Sequence, residues 1–345
     1  MRFARWRAAG EHGSAGSVRE GVVASVEGVD RLVAFDDGTT VRDLTRAGLP
    51  AALERGQAAI DAAAASGALD RAPVLADVEL LPPVEPASVR DFVAFEEHVE
   101  GVVKSVGGGA VVDAEWYDAP TFYFTNPHTL VGSGATVRPP ATERLDFELE
   151  VAVVIGAVDG REGRDLSPEE AGDHVFGYAI FNDWSARDIQ AREMKVRLGP
   201  CKGKDFASTL GPWIVTADEF AGRHDDEGFL PIGMEVLVNG ERIGVDLLSN
   251  MGWPFAELVA YASRDSVVVP GDVLGSGTAG NGGCLGELWG RRGELSPRPL
   301  RAGDEVVMRV EGIGEIRNVV GAAAPAPEIS RARPRPRNRP AAVVA

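Results

Sequence analysis

The segment that most constrains this chain is Leu145-Asp146-Phe147-Glu148-Leu149-Glu150-Val151-Ala152-Val153-Val154-Ile155-Gly156. A Val/Ile-rich run of this kind reads as a buried strand. It opens with two carboxylates one residue apart, and on a strand positions i and i+2 face the same side. Glu148 and Glu150 are therefore expected to point into one site. Two like charges on a buried element are costly unless something positive lies between them. A divalent metal is the economical answer, and carboxylate oxygens suit Mg²⁺ or Ca²⁺. The competing reading is an exposed strand with a solvated acidic pair.

A chain of 345 residues can bury a sizeable core and is expected to hold one large domain plus a smaller one. Its net charge of −17 argues against a nucleic-acid or anionic-membrane surface. An anionic substrate stays open, because a local cluster of Arg, Lys and metal overrides the global field. The two cysteines, Cys201 and Cys284, form no CxxC pair, so neither a disulfide framework nor a zinc site is indicated. The start, Met1-Arg2-Phe3-Ala4-Arg5-Trp6-Arg7, is basic but lacks the apolar core of a signal peptide. No segment approaches the ~20 apolar residues that span a bilayer. The expectation is a cytoplasmic protein without membrane or nucleic-acid partners.

Residues 1 to about 50 alternate short apolar runs with turn signals such as Asp36-Asp37-Gly38, which predicts small antiparallel β structure. Residues 51–69 are alanine-rich and read as a helix. The Pro-rich joint Leu80-Leu81-Pro82-Pro83-Val84-Glu85-Pro86 places a domain boundary there, giving residues 1–85 and 86–322. A helix is expected from Ser88, with Asp91 at a capping-box-like position. Gly107-Gly108-Gly109 reads as a flexible loop. Beyond Glu150 the chain reads as strand-rich to about residue 320, with one short helix opened by Ser167-Pro168-Glu169-Glu170. Residues 323–345, rich in Pro, Ala and Arg (Arg331, Arg333, Arg335, Arg337, Arg339), read as a disordered, solvated tail rather than an anion-binding arm.

Three further constellations carry chemistry. Asn182-Asp183-Trp184-Ser185-Ala186-Arg187-Asp188-Ile189-Gln190 follows an apolar strand, Val175 to Phe181, so its polar groups lie at a strand end. Asp183 could complete the carboxylate set. Arg187 and Gln190 share a face if a helical turn follows, and suit a carboxylate or enolate oxygen. The plainer reading is a helix cap with surface charges. Asp91 and His98, seven apart on the expected helix, would lie on one face about 10 Å apart. One could hold a metal while the other handles a proton, although a single His is more often structural. With a pKa near 6.5 it is the natural base at neutral pH. Gly275-Ser276-Gly277-Thr278-Ala279-Gly280 matches GxGxxG after the strand-like run Val267 to Leu274. Asn281-Gly282-Gly283 follow, a poor helix start, so a loop closely approaching a substrate is the better reading than a dinucleotide site.

Taken in order, these segments resemble the fumarylacetoacetate hydrolase (fumarylacetoacetase) family over about residues 86–320. The carriers are LDFELEVAVVIG, HVFGYAIFNDWSARDIQ, LGPCKGKDF with Ser208-Thr209, and PGDVLGSGT. The resemblance implies a mixed, β-rich fold, a fumarylacetoacetase-like mixed β-sandwich roll with a small N-terminal β domain. It implies a metal set of Asp91, Glu148, Glu150 and Asp183, with Lys204 and Ser208 beside it, holding Mg²⁺ (or Ca²⁺, Mn²⁺). His98 would be the base that activates water, partnered by Glu287 of Gly286-Glu287-Leu288-Trp289. Arg187, Gln190 and Lys204 would serve as donors to substrate oxygens, and Thr278 would contact substrate. The chain departs from the family's pattern at Val93, where an aromatic residue is expected, and at Met194, where a Tyr is expected; both are pocket positions. No counterpart of the substrate-binding Arg follows His98. The pocket differs while the catalytic set is present.

The resemblance thus implies a metal-dependent hydrolase cleaving a C–C bond in a 2,4-diketo acid, fumarylacetoacetate or another acylpyruvate, and commonly a homodimer. A same-fold decarboxylase, isomerase or hydratase acting on a metal-chelated 2-keto acid is the alternative. A non-catalytic metal-dependent binding protein is more remote.

Overall fold

The apolar run after Glu148 forms a strand with both faces covered, and the main sheet is assembled around it. The computed structural model describes residues 1–8, 17–105, 112–323 and 325–335. In chain order the principal strands are β1 (Arg2–Ala8), β2 (Arg19–Val26), β3 (Val29–Ala34), β4 (Val89–Phe92), β5 (Phe122–Thr125), β6 (Leu149–Ile155), β7 (Val175–Asp183) and β8 (Ser208–Thr216). They continue with β9 (Gly233–Val238), β10 (Glu241–Leu247), β11 (Val273–Gly275), β12 (Glu305–Val310) and β13 (Gly314–Val320). The helices are α1 (Val41–Ala47), α2 (Leu49–Ala65), α3 (Glu96–Ser105), α4 (Pro168–Asp173), α5 (Arg187–Met194), α6 (Phe255–Ser263) and α7 (Leu285–Arg292).

The larger sheet runs β3-β2-β1-β8-β7-β6-β11-β4-β5, and the smaller runs β10-β9-β12-β13 before ending on Thr136–Val137. Pairing is mixed: β6 is antiparallel to β7 and β11, whereas β11 is parallel to β4. Strand alternation divides β6 between two cores. Leu149, Val151, Val153 and Ile155 enter the core shared with β9, β12 and α6, while Ala152 and Val154 enter the core against α1 and α2. The result is the mixed, β-rich architecture expected.

Several local expectations are met. The three N-terminal strands are antiparallel neighbours. Residues 51–69 are mostly helix α2, and α4 begins with Ser167 and Glu170 in a reciprocal capping box. The N-terminal strands do not stand apart, because Arg2 and Phe3 pair with Val215 and Ile214 of β8.

Three expectations are corrected. The helix from Ser88 does not exist. Val89–Phe92 is a buried strand held between β11 and β5, and helix begins only at Glu96, so Asp91 and His98 do not share a helix face. The polar Ser88–Asp91 pattern mimics a cap, but sheet pairing on both sides overrides it. The region after Glu150 also holds α5, α6 and α7 rather than one helix; short apolar runs such as Phe255–Ser263 do not distinguish buried helix from buried strand. The run Val267 to Leu274 is strand only from Val273. The glycine loop 107–109 lies outside the described residues, as do Arg337 and Arg339. Residues 325–335 are exposed and carry no regular secondary structure.

Candidate metal centre and active site

Three strands of the larger sheet deliver four carboxylates to one point. Asp91 comes from β4, Glu150 from β6 and Asp183 from the end of β7, while Glu148 precedes β6 with its backbone N–H held by the Asn182 side chain at 3.0 Å. Asp91, Glu148 and Asp183 each offer an oxygen within 4.8 Å of the other two, and all three are buried. Glu150 backs this trio. Its carboxyl shares a hydrogen bond with Asp91, accepts the Gly277 N–H at 3.1 Å and lies 3.5 Å from Thr278 Oγ1. The glycine loop comes close to these carboxyls: a Cβ at Gly275 would sit 2.5 Å from Asp91 Oδ1.

Two cations enter the cluster. Lys204 Nζ donates to Glu148 and, at 2.7 Å, to Asp183, whose other oxygen accepts the Ser208 hydroxyl at 3.1 Å. Arg187, the first residue of α5, places Nη1 2.8 Å from Glu148 Oε1 and 3.2 Å from Gln190 Oε1. Burial raises the Glu148 carboxyl, but Lys204 and Arg187 outweigh it and hold it down at about 2. Asp91 and Glu150 go the other way. Burial, then the charge of Asp183 for Asp91 and of Asp91 for Glu150, push both well above the usual carboxylate range.

These residues fit a divalent cation. Four carboxyls are buried together, burial and their mutual repulsion hold protons on Asp91 and Glu150 that a cation would displace, and Asp91 Oδ1 is buried without a hydrogen-bond partner. An all-oxygen donor set suits a hard ion.

His98, on α3, is buried with Nε2 4.0 Å from Glu148 Oε1. Burial, reinforced by Arg187 and Lys204, pulls its pKa down to about 3, so the imidazole is neutral at physiological pH. Its Nδ1 meets Cys284 Sγ at 3.6 Å. Glu287 lies on α7, where its carboxylate accepts the Gly282 N–H at 3.3 Å and pairs with Arg291 at 2.8 Å. Among the described residues no hydrogen bond joins it to His98. Burial raises Glu287 to about 7. Val93 is half-buried, and Met194, at the end of α5, is 49% exposed.

Sequence reasoning passed over three residues here. Tyr123 of β5 donates its hydroxyl to Asp183, and nothing in Phe122-Tyr123-Phe124 sets it apart from a packing aromatic. Cys284 caps α7 by accepting the Glu287 N–H at 3.3 Å, an unusual residue for that role. Asp146 is fully buried and pairs with Arg187 at 2.8 Å. Its signal was available: it lies two residues before Glu148, repeating the spacing of the Glu148–Glu150 pair.

Residues 87–321 match the family model described as fumarylacetoacetate (FAA) hydrolase C-terminal. The chain belongs to the fumarylacetoacetate hydrolase family. A fumarylacetoacetase from Arabidopsis thaliana is 30% identical over 273 residues, covering 64% of this chain and 63% of that protein. The oxaloacetate tautomerase YisK of Bacillus subtilis is 32% identical over 211 residues, covering 61% of this chain and 64% of the other. The chain thus spans just under two thirds of the length of these relatives. The solved fumarylacetoacetate hydrolase from psychrophilic Exiguobacterium antarcticum superposes with a TM-score of 0.65 at 26% identity, over 93% of this chain and 99% of that one. The family is enzymatic and includes both hydrolases and tautomerases. Among the described residues no helix is long and apolar enough to cross a membrane.

Proposed function

We propose that this chain is a divalent-metal-dependent hydrolase that cleaves a C–C bond in a 2,4-diketo acid of the acylpyruvate type. The observation that carries the reading is a buried His98 with Nε2 4.0 Å from Glu148 in a cluster that also holds Arg187 and Lys204. A base, an anion-stabilising pair and a cation-binding acidic set are then present together.

Asp91, Glu148, Glu150 and Asp183 would hold the ion, with Lys204 and Ser208 supporting them; Mg²⁺ is the proposed ion, with Ca²⁺ or Mn²⁺ as substitutes. When bound, it supplies Lewis-acid chemistry and a template for a chelating keto acid. His98 takes a proton from water at Nε2, the nitrogen that faces the cluster, and the hydroxide formed attacks the distal carbonyl. The bond to the pyruvate carbon breaks, and its electrons pass to an enolate whose oxygens receive N–H donors from Lys204, Arg187 and Gln190. Each donor contributes about 3 kcal/mol, or roughly a hundredfold in rate. Thr278 positions Glu150, and Val93 and Met194 belong to the wall that faces the acyl group. The enzyme acts as a homodimer in the cytoplasm on this reading.

A second reading has its own support. No hydrogen bond among the described residues joins Glu287 to His98, and burial raises the Glu287 pKa to about 7, so it would serve as a separate group able to give and take a proton, as a tautomerase or isomerase requires. The test is an assay of acylpyruvates of rising chain length, with the acylacetoacetate fumarylacetoacetate beside them, with Mg²⁺ and again with EDTA. Metal-dependent loss of enol absorbance with pyruvate or acetoacetate as product is expected. A product of unchanged mass would favour the second reading, and no reaction across the panel would overturn the first.

A further inference from the structure

Arg187 can receive charge at the reacting oxygens only if its guanidinium is held in one orientation, and Asp146 is the group that meets it. Asp146 is fully buried. Its Oδ2 accepts Arg187 Nε at 2.8 Å and lies 2.8 Å from Nη2, while Arg187 Nη1 turns toward Glu148 and Gln190. The same carboxylate closes the start of α7, accepting the backbone N–H groups of Leu285 at 2.8 Å and Gly286 at 2.9 Å. Packing there is tight: a Cβ at Gly286 would lie 3.2 Å from both Arg187 Nε and Asp146 Oδ2. One buried anion thus joins the first residue of α5 to the first turn of α7, where a charge at a helix N-terminus is also favoured.

We infer that Asp146 is a positioning residue for Arg187, fixing the guanidinium so that Nη1 faces the acidic cluster. The inference rests on the reading of Arg187 as a donor to a keto-acid oxygen. A buried guanidinium whose Nε is hydrogen-bonded to a carboxylate oxygen, with Nη2 paired by charge to the same oxygen, has a single direction left for its remaining nitrogen. Capping of α7 alone would not require an acid; an amide or hydroxyl serves as well. The buried ion pair requires the charge.

The test is a double-variant cycle with Asp146→Asn, Arg187→Met and the pair combined, in the full-length protein. The probe is oxalate, a planar analogue of the pyruvate enolate, titrated by calorimetry at saturating Mn²⁺, with kcat on an acylpyruvate measured alongside. Asp146→Asn is expected to weaken oxalate by about tenfold and to lower kcat by about ten- to a hundredfold in the parent chain. In the Arg187→Met background the same change is expected to alter neither by more than about twofold, because there is no guanidinium left to orient. An equal loss in both backgrounds would overturn the inference and leave Asp146 a cap of α7. If Asp146→Asn alone does not fold, the combined variant against Arg187→Met decides the matter, since no uncompensated guanidinium remains in either. Failure of the parent protein with Mn²⁺ to bind oxalate at all would instead remove the keto-acid reading, and the inference with it.

Discussion

At Gly275 a methyl group would lie 2.5 Å from Asp91 Oδ1 and 2.9 Å from Glu150 Oε2, so only a bare backbone lets those two carboxyls meet. Gly275→Ala is expected to spread the pair and weaken Mn²⁺ by about tenfold or more, read by calorimetry; unchanged affinity would separate Asp91 from the metal set. His98→Ala is expected to lower turnover by about 10²–10⁴-fold with Mn²⁺ affinity nearly intact, and metal lost with turnover retained would reverse its assignment. Glu148, Glu150, Asp183 and His98 stand out in the sequence because charged or titratable groups beside apolar runs are anomalous, and the fold brings them together. Tyr123 and Cys284 were not, since their roles come from neighbours distant in sequence. The raised Asp91 and Glu150 carboxyls retain protons that a cation displaces, so metal affinity should increase as pH rises and fall as they are protonated.

Helix α3 lies against α7 at Gly101, one turn beyond His98, where a Cβ would meet Glu287 Cγ at 2.3 Å and Cα at 3.0 Å. Gly101→Ala would improve helix propensity by up to ~1 kcal/mol, but the backbone at Glu287 cannot yield as a side-chain tip can. Overpacking wins, and a net loss of about 1–2 kcal/mol is expected by denaturant unfolding, with turnover reduced as the two helices part. A more stable variant would contradict this packing. Helices with strong local signals were readable: α2 by its alanines and α4 by its capping box. Asp91 was misplaced because a four-residue strand enclosed by partners on both sides leaves a weak local pattern, and α6 because nine residues with an apolar bias fit either state.

For the whole molecule, the sheet does not stop at the Pro-rich joint. Strand β1 pairs with β8, the strand that carries Ser208, and Phe3 packs in one core with Leu210, Ile214 and Phe176. Residues 1–85 are proposed to be a small unit docked on the larger 86–322 unit, and the pairing makes the docking structural. A chain starting at residue 86 is expected to aggregate, because the edge of β8 and its apolar neighbours become exposed; a soluble, metal-binding fragment would show the two units to be independent. Which strands neighbour one another was not readable, since composition and period describe each strand but not its partner. The central claim, that the buried acidic cluster is a divalent-metal centre, is met most directly by titrating Mn²⁺ into EDTA-treated protein in buffers of different ionisation enthalpy. One ion per chain, with proton release, and at least tenfold weaker binding in Asp183→Asn, is the expected result. No binding, or binding indifferent to that substitution, would contradict it.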